Sequence, residues 1–383
     1  MKAALWRPAV AVFLTLSLPV QAQEFRPKDS RFPSADLEKS IQHALTWLKA
    51  APPKAGVPTS RMDDTNELVF YTLLHGGVSP TDPFMGDYLK RLVDREPDRV
   101  YNSALAAMSL AKLDRVGYQW KLIHHAIFLQ DNQCENGQWA YGSPVDLGPP
   151  VAVTGNAPKG ALYGSRNPAG YRPSDPKSTV AMKKIAVVQR SRVSKVGDNS
   201  NAQYAALGLR SCAEAGLVLD PRCLQDALHW WEGDQDRDGG WGYSRGEDDG
   251  SRATMTAGGV GSLVIYKWLT HKPWADDPHV RKGMEWIDAN WKGRLPKWHV
   301  YFLYGLERVG MLHGTDRIGS KEWYDEGAGW LLEHQAANGS WSRSVPDTCF
   351  AILFLRRATA PLPGVVTPGR AADGAAPEPP RKE

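Results

Sequence analysis

The sequence predicts an all-α fold: about twelve helices, paired into six hairpins and laid out as two concentric rings, a single α/α toroid. Two observations carry this expectation. The first is a heptapeptide that occurs three times with one skeleton, Gln, three residues, Gly, one residue, Trp; it reads QCENGQW from Gln133 to Trp139, QDRDGGW from Gln235 to Trp241 and QAANGSW from Gln335 to Trp341. A recurring unit of this kind decides architecture before any single residue suggests chemistry. The second is an alternation between helices with one apolar stripe and helices that are apolar nearly all round, which must be covered on both sides.

The elements follow in chain order. Residues 1–22, MKAALWRPAVAVFLTLSLPVQA, join two basic residues, a short apolar stretch and a small-residue end, which predicts a secretory signal cleaved after Ala22 and hence an exported protein, periplasmic or extracellular. The apolar stretch is too short for a membrane span of ~20 residues, so no membrane-spanning segment is expected. A leader, 23–35, precedes the toroid at 36–358. Outer helices are expected to start near Asp36, Met85, Tyr118, Cys223, His279 and Glu322. Leu37, Ile41, Ala44, Leu45 and Leu48 share one helical face, as do Val280, Met284, Ile287 and Trp291, with charges elsewhere. Inner helices are expected from Asp64, Tyr101, Asn199, Thr254, His299 and Asp347; stretches such as YNSALAAMSLAKL and CFAILFL offer no polar face. A long insertion, 143–197, rich in Pro, Gly and basic residues, is placed to lie over one end of the ring, and its segment Lys184 to Val196 carries the only notable strand signal. Loops of such length are functional or disordered as a rule. Residues 359–383 read as a disordered tail.

Charge does not dictate partners. Removing Lys2 and Arg7 from the 46 basic residues leaves 44 against 42 acidic ones, so no strong field favours nucleic acid or an anionic membrane. Of four cysteines, Cys212 and Cys223 fall at the end of one helix and the start of the next and are the plausible disulfide pair; Cys134 and Cys349 have no obvious mates.

The heptapeptide has a structural explanation. Its Gly ends an outer helix, its Gln amide can satisfy unpaired carbonyls there, and its Trp covers the joint; the alternative is a Trp binding platform. At these residues the chain resembles the squalene-hopene cyclase and protein prenyltransferase β-subunit repeat families, in which a Gln-Trp motif recurs between outer and inner helices of an α/α toroid. The resemblance covers residues 36 to 358. It implies a terpenoid-cyclase-like protein holding an isoprenoid or another extended apolar ligand in its central cavity, with or without a protein partner. The cyclases' Asp-x-Asp-Asp string is missing, Asp63-Asp64-Thr65-Asn66 being the nearest approach, and so is the Gly-Cys-Gly-Glu-Gln thioester motif. Prenyltransferase β subunits hold zinc through an Asp-x-Cys and a His at inner-helix starts. Here the resemblance implies a zinc site of His299, Asp347 and Cys349, although the His precedes the Asp-x-Cys instead of following it. Otherwise Asp347 caps its helix, Cys349 is a small core residue and His299 sits at a polar rim.

Polar clusters open all six inner helices. Helix starts favour Asp, Asn, Ser and Thr as caps, but capping does not account for Asn201, Gln203, His299 and Tyr301 in otherwise apolar first turns. Ringing one mouth of a cavity, they define a binding site, in which Asn66, Asn201, Gln203 and Tyr301 are the ligand-binding candidates. The acid–base candidates are Asp64, Asp198 and Asp347, with His299 as the group titrating near neutral pH. Glu247-Asp248-Asp249 reads as a solvated loop. Three functions are compatible with this pattern: an apolar-ligand binder, which requires a central cavity neither plugged nor polar; a carbohydrate-active enzyme, which requires carboxylates and aromatic residues in an open groove; and an envelope docking scaffold.

Overall fold

The computed structural model describes residues 25–50, 66–148, 182–244, 250–293, 295 and 297–363. Among them the chain is mostly helical, with twelve helices. In chain order these are α1 (Ser34–Ala50), α2 (Asn66–His75), α3 (Pro83–Asp94), α4 (Val100–Asp114), α5 (Gln119–Asp131), α6 (Asn199–Glu214), α7 (Pro221–Gly233), α8 (Ala253–Leu269), α9 (Pro278–Asn290), α10 (His299–His313), α11 (Trp323–His334) and α12 (Val345–Leu355). Four short strands accompany them: β1 (Ile185–Val187) runs parallel to β2 (Leu217–Leu219), and β3 (Arg317–Ile318) pairs antiparallel with β4 (Lys321–Glu322). The signal-like segment 1–22 lies outside the described residues, as do Asp63, Asp64 and Glu247 to Asp249. No helix among the described residues is long and apolar enough to cross a membrane.

Two kinds of helix alternate, and burial follows the sequence pattern. In α3 only Met85, Tyr88 and Leu92 are buried, one stripe of a charged helix. In α6 every residue from Asn199 to Cys212 is buried, and in α10 every residue from His299 to Leu312. The even-numbered helices pack in succession, α2 on α4, α4 on α6, α6 on α8, α8 on α10 and α10 on α12, and α12 packs back on α2. Three odd-numbered helices start at an Asp-Pro pair. Asp82, Asp220 and Asp277 each accept a hydrogen bond from a first-turn N–H, and the following proline fills a position whose own N–H would be unpaired.

The heptapeptide works differently from the expectation in one respect. The glycines do take the left-handed conformation, with φ of 92° at Gly137, 95° at Gly239 and 90° at Gly339. It is the Trp, however, that serves the last turn of its own helix. Trp139, Trp241 and Trp341 donate from Nε1 to the carbonyls of Leu129, Trp231 and Leu331, which lie in the terminal turns of α5, α7 and α11, where carbonyls lack helical partners. The Gln reaches outward instead. Gln133, Gln235 and Gln335 donate to the carbonyl of their own motif Gly and also to Cys223 in α7, His279 in α9 and Ser40 in α1, at 2.9 Å each. Each motif therefore pins one odd-numbered helix to the next, and the third pins α11 to α1.

Two further expectations are corrected, the disulfide and the start of the tail, and the insertion is placed in part. All four cysteines are buried thiols, so Cys212 and Cys223 do not form a disulfide; the Cys212 thiol points to the carbonyl of Leu122. The described ends of the 143–197 insertion run beside α5 and α7: Gln130 of α5 donates to Val187, and Asp131 accepts from the main chain and guanidinium of Arg190. The start of the expected tail is packed, since Thr359 and Leu362 are buried and Arg210 of α6 donates to the carbonyl of Ala360.

Candidate functional site

Helices α4, α6, α10 and α12 meet near their N-terminal ends, where four of the polar candidates gather. Asp198 caps α6, accepting from Asn201 N at 2.8 Å, from Ser200 Oγ at 2.6 Å and from Asn201 Nδ2 at 2.8 Å. The Asn201 side chain is thereby turned toward the cap, and its Oδ1 has no hydrogen-bond partner. One turn further in, Gln203 Nε2 donates to the hydroxyl of Tyr301 at 2.8 Å, and Arg308 Nη2 donates to Gln203 Oε1 at 2.8 Å. A glycine on α8 leaves room for Gln203, since a Cβ at Gly258 would stand 2.7 Å from its Oε1 and displace the amide. Tyr101 and Tyr204 lie with ring centroids 4.3 Å apart, and Phe350 of α12 lies against both Tyr301 and Tyr304. Burial, with the neighbouring Tyr204 hydroxyl, pushes the Tyr301 phenol well above its ordinary range, so it stays protonated.

Asp198, Asn201, Gln203 and Tyr301 thus belong to one constellation, in which Asp198 serves as the cap of α6. Its inner part is a guanidinium network among tyrosines. Arg308 itself escapes a sequence reading, because a lone Arg within an apolar helix gives no local clue to its partner.

The other candidates stand apart. His299 opens α10, accepts from Leu295 N at Nδ1 (3.1 Å) and presents its ring edge-on to Trp330. Asp347 is not the cap of α12: Ser344 is, accepting from Asp347 N. Burial raises the Asp347 carboxyl above its ordinary value, opposed by a hydrogen bond from Ser342. Cys349 is fully buried, and burial pushes its thiol up to about 12. Among the described residues no three His, Cys, Asp or Glu side chains gather to hold a metal ion, so His299, Asp347 and Cys349 do not form the zinc site implied by the resemblance. Their partners are instead a main-chain amide, a cap and the core.

Asn66 leads to a second feature. It opens α2 and lines a groove of about 660 Å³ between the start of that helix, α3 and the loop before α4. Glu67, Asp87, Asp94 and Asp98 supply carboxylates to it, Arg91 and Arg95 guanidinium groups, and Tyr88 with Leu92 an apolar floor. Glu67 is buried and held by Arg95 at 3.3 Å and Asn102 at 2.8 Å. One oxygen of Asp98 is buried with no hydrogen-bond partner. The sequence pattern hides this groove, since charges along α3 read as an ordinary wet face.

Trp298, just before α10, is 66% exposed and adopts the left-handed conformation with φ of 60°. Non-glycine residues rarely do so, and a bulky one held there marks a constrained position. Tyr141 is also exposed, and its carbonyl accepts from the first amide of α4. A scan of family models finds none that matches the chain, and a search of curated proteins finds no match either.

Proposed function

We propose that the chain is an exported α/α toroid of the Gln-Trp repeat type that binds an extended polar ligand, an oligosaccharide, on the face where the inner helices begin. The circuit of packing from α2 round to α12 and back, with Gln-Gly-Trp staples between successive outer helices, supports the toroid. The signal-like residues 1–22 support export.

The observation that carries the ligand class is the groove beside Asn66. Carboxylates and guanidinium groups in an open groove match the alternating donors and acceptors of sugar hydroxyls, and Tyr88 with Leu92 suits the apolar face of a pyranose. The interior between α6, α10 and α12 argues against a hydrocarbon guest. Buried Arg308, Gln203 and the hydroxyls of Tyr204, Tyr301 and Tyr304 make that interior polar, and an isoprenoid offers them no acceptor. An isoprenoid remains the second reading, favoured by the repeat geometry.

The test is a thermal-shift and calorimetric panel of oligosaccharides, isoprenoid phosphates and neutral terpenes against the mature chain and an Asp87→Ala/Arg91→Ala double variant. Stabilisation by an oligosaccharide, weakened tenfold or more in the double variant, is the expected result. A response confined to isoprenoids and unchanged in the variant would replace the proposal with the second reading.

A further inference from the structure

Arg308 is a buried cation without a counter-ion in contact. It is 3% exposed, and among the described residues no carboxylate lies within ion-pair distance of it. The neighbouring carboxylate, Glu307, commits both oxygens elsewhere, accepting from Thr359 N at 2.8 Å and Thr359 Oγ1 at 2.7 Å. One guanidinium nitrogen, Nη2, donates to Gln203, while Nη1 is buried with no hydrogen-bond partner. A guanidinium left in this state is costly, because burial removes the water that would otherwise solvate the charge.

Two further orphan groups stand beside it. The hydroxyls of Tyr204 and Tyr304 are buried, the Tyr204 oxygen faces the Arg308 guanidinium, and neither O–H proton has an acceptor. The Arg308 guanidinium carbon lies 4.4 Å from the ring centroid of Tyr304 and 5.6 Å from that of Tyr204, so both phenols belong to the same pocket of structure. Burial raises both phenols above their ordinary range, which keeps them protonated and able to donate. The surroundings are crowded, with Phe350 stacked on Tyr304 at 5.5 Å. A buried cation with no carboxylate in contact and two phenolic O–H groups with no acceptor thus stand in one confined place.

We propose that Arg308 Nη1 and the hydroxyls of Tyr204 and Tyr304 hold a small inorganic anion of the halide class in the interior between α6 and α10. A halide supplies the missing negative charge and accepts from several donors without geometric demands of its own. A water molecule would satisfy hydrogen bonds but leave the charge uncompensated, and a larger oxyanion is disfavoured by the packed aromatic rings. The site is separate from the groove on α3, so its fate does not bear on the oligosaccharide reading.

The experiment compares the full mature chain in sodium gluconate and in sodium chloride or bromide at constant ionic strength. The expected result is a saturable rise in Tm of about 2 °C or more with either halide. Tyr204→Phe and Tyr304→Phe, which keep the rings, should each raise the half-saturating halide concentration about tenfold, the scale of one hydrogen bond to a charged group. Anomalous scattering from bromide-soaked crystals should place the ion beside Arg308. Equal Tm in the three salts, wild-type half-saturation in both Phe variants, or bromide found only at surface positions would overturn the proposal and leave Arg308 balanced by its aromatic neighbours alone.

Discussion

Gln335, just past the end of α11, donates its amide to the main-chain carbonyl of Ser40 in α1 at 2.9 Å, across 295 positions of chain. Its own carbonyl oxygen accepts from Ser40 Oγ at 2.9 Å, and the same amide reaches Gly339. Arg356, just after α12, adds a two-pronged contact to Glu38 of α1, at 2.7 and 2.9 Å. Gln335→Ala should therefore destabilise the protein by about 1–2 kcal/mol, since three partly buried hydrogen bonds are lost together. Urea unfolding measures this; a loss below about 0.5 kcal/mol would mean that the staple is decorative.

The motif glycines should not tolerate alanine equally. At Gly137 a Cβ would stand 2.3 Å from the carbonyl oxygen of Asp226, and at Gly239 it would stand 2.9 Å from that of Lys282. Both positions also impose left-handed strain. Gly239→Ala should cost about 1–3 kcal/mol, and Gly137→Ala clearly more, because helix backbone must shift. Comparable unfolding midpoints for the two variants would contradict this ranking.

Glu307 predicts a fall in stability as pH rises. Burial lifts its carboxyl from 4.5 to about 7, against the two hydrogen bonds from Thr359 that favour the ionised form. The folded state then holds the proton more tightly than the unfolded state. The resulting stabilisation is complete below the unfolded value and is lost as pH rises through about 7, on the order of 3 kcal/mol. His75 and His125, depressed to about 3 by burial, act in the opposite sense: their contribution is present above the unfolded value of 6.5 and fades as pH falls below it. Glu307→Gln should remove the first slope and expose the second, so that stability between pH 5 and 7 rises with pH. Unfolding curves across that range test it, and an unchanged profile would refute it.

Trp298 should carry a conflict between stability and binding. Trp298→Gly relieves the left-handed strain while removing a side chain that is mostly exposed, so stability should hold or rise by about 1 kcal/mol. If the indole is a stacking platform for the proposed oligosaccharide, the same variant should bind it several-fold more weakly. A variant that is both less stable and unimpaired in binding would show that the indole serves packing alone.

The helical framework was legible because its signals are periodic. Apolar stripes in α1 and α9 and the all-round apolar runs of α4 and α12 follow from burial on one side or on all sides, and the helix starts fall within a few residues of expectation. Gln203 and Tyr301 were the more legible polar residues, because they lie in apolar first turns with no capping role, whereas Asp198 and Asn201 serve the cap of α6. What the sequence conceals depends on distant partners. The Gln of each heptapeptide looks like a cap for its own helix until the next helix is in place. Arg308 and Glu307 look like one adjacent ion pair, yet each faces a different residue, Gln203 and Thr359. The implied zinc ligands sit at suitable helix starts, but ring position along a sequence does not fix where side chains meet.

The bond between Gln335 and Ser40 bears also on how the chain matures. Helix α1 is made early, yet the helix it packs on, α12, and the glutamine that grips it come from the far end of the sequence. Until then the stripe of Ile41, Leu45 and Leu48 has no cover from that side. Closure of the fold therefore depends on contacts between distant stretches of the chain, a slow search over long loops.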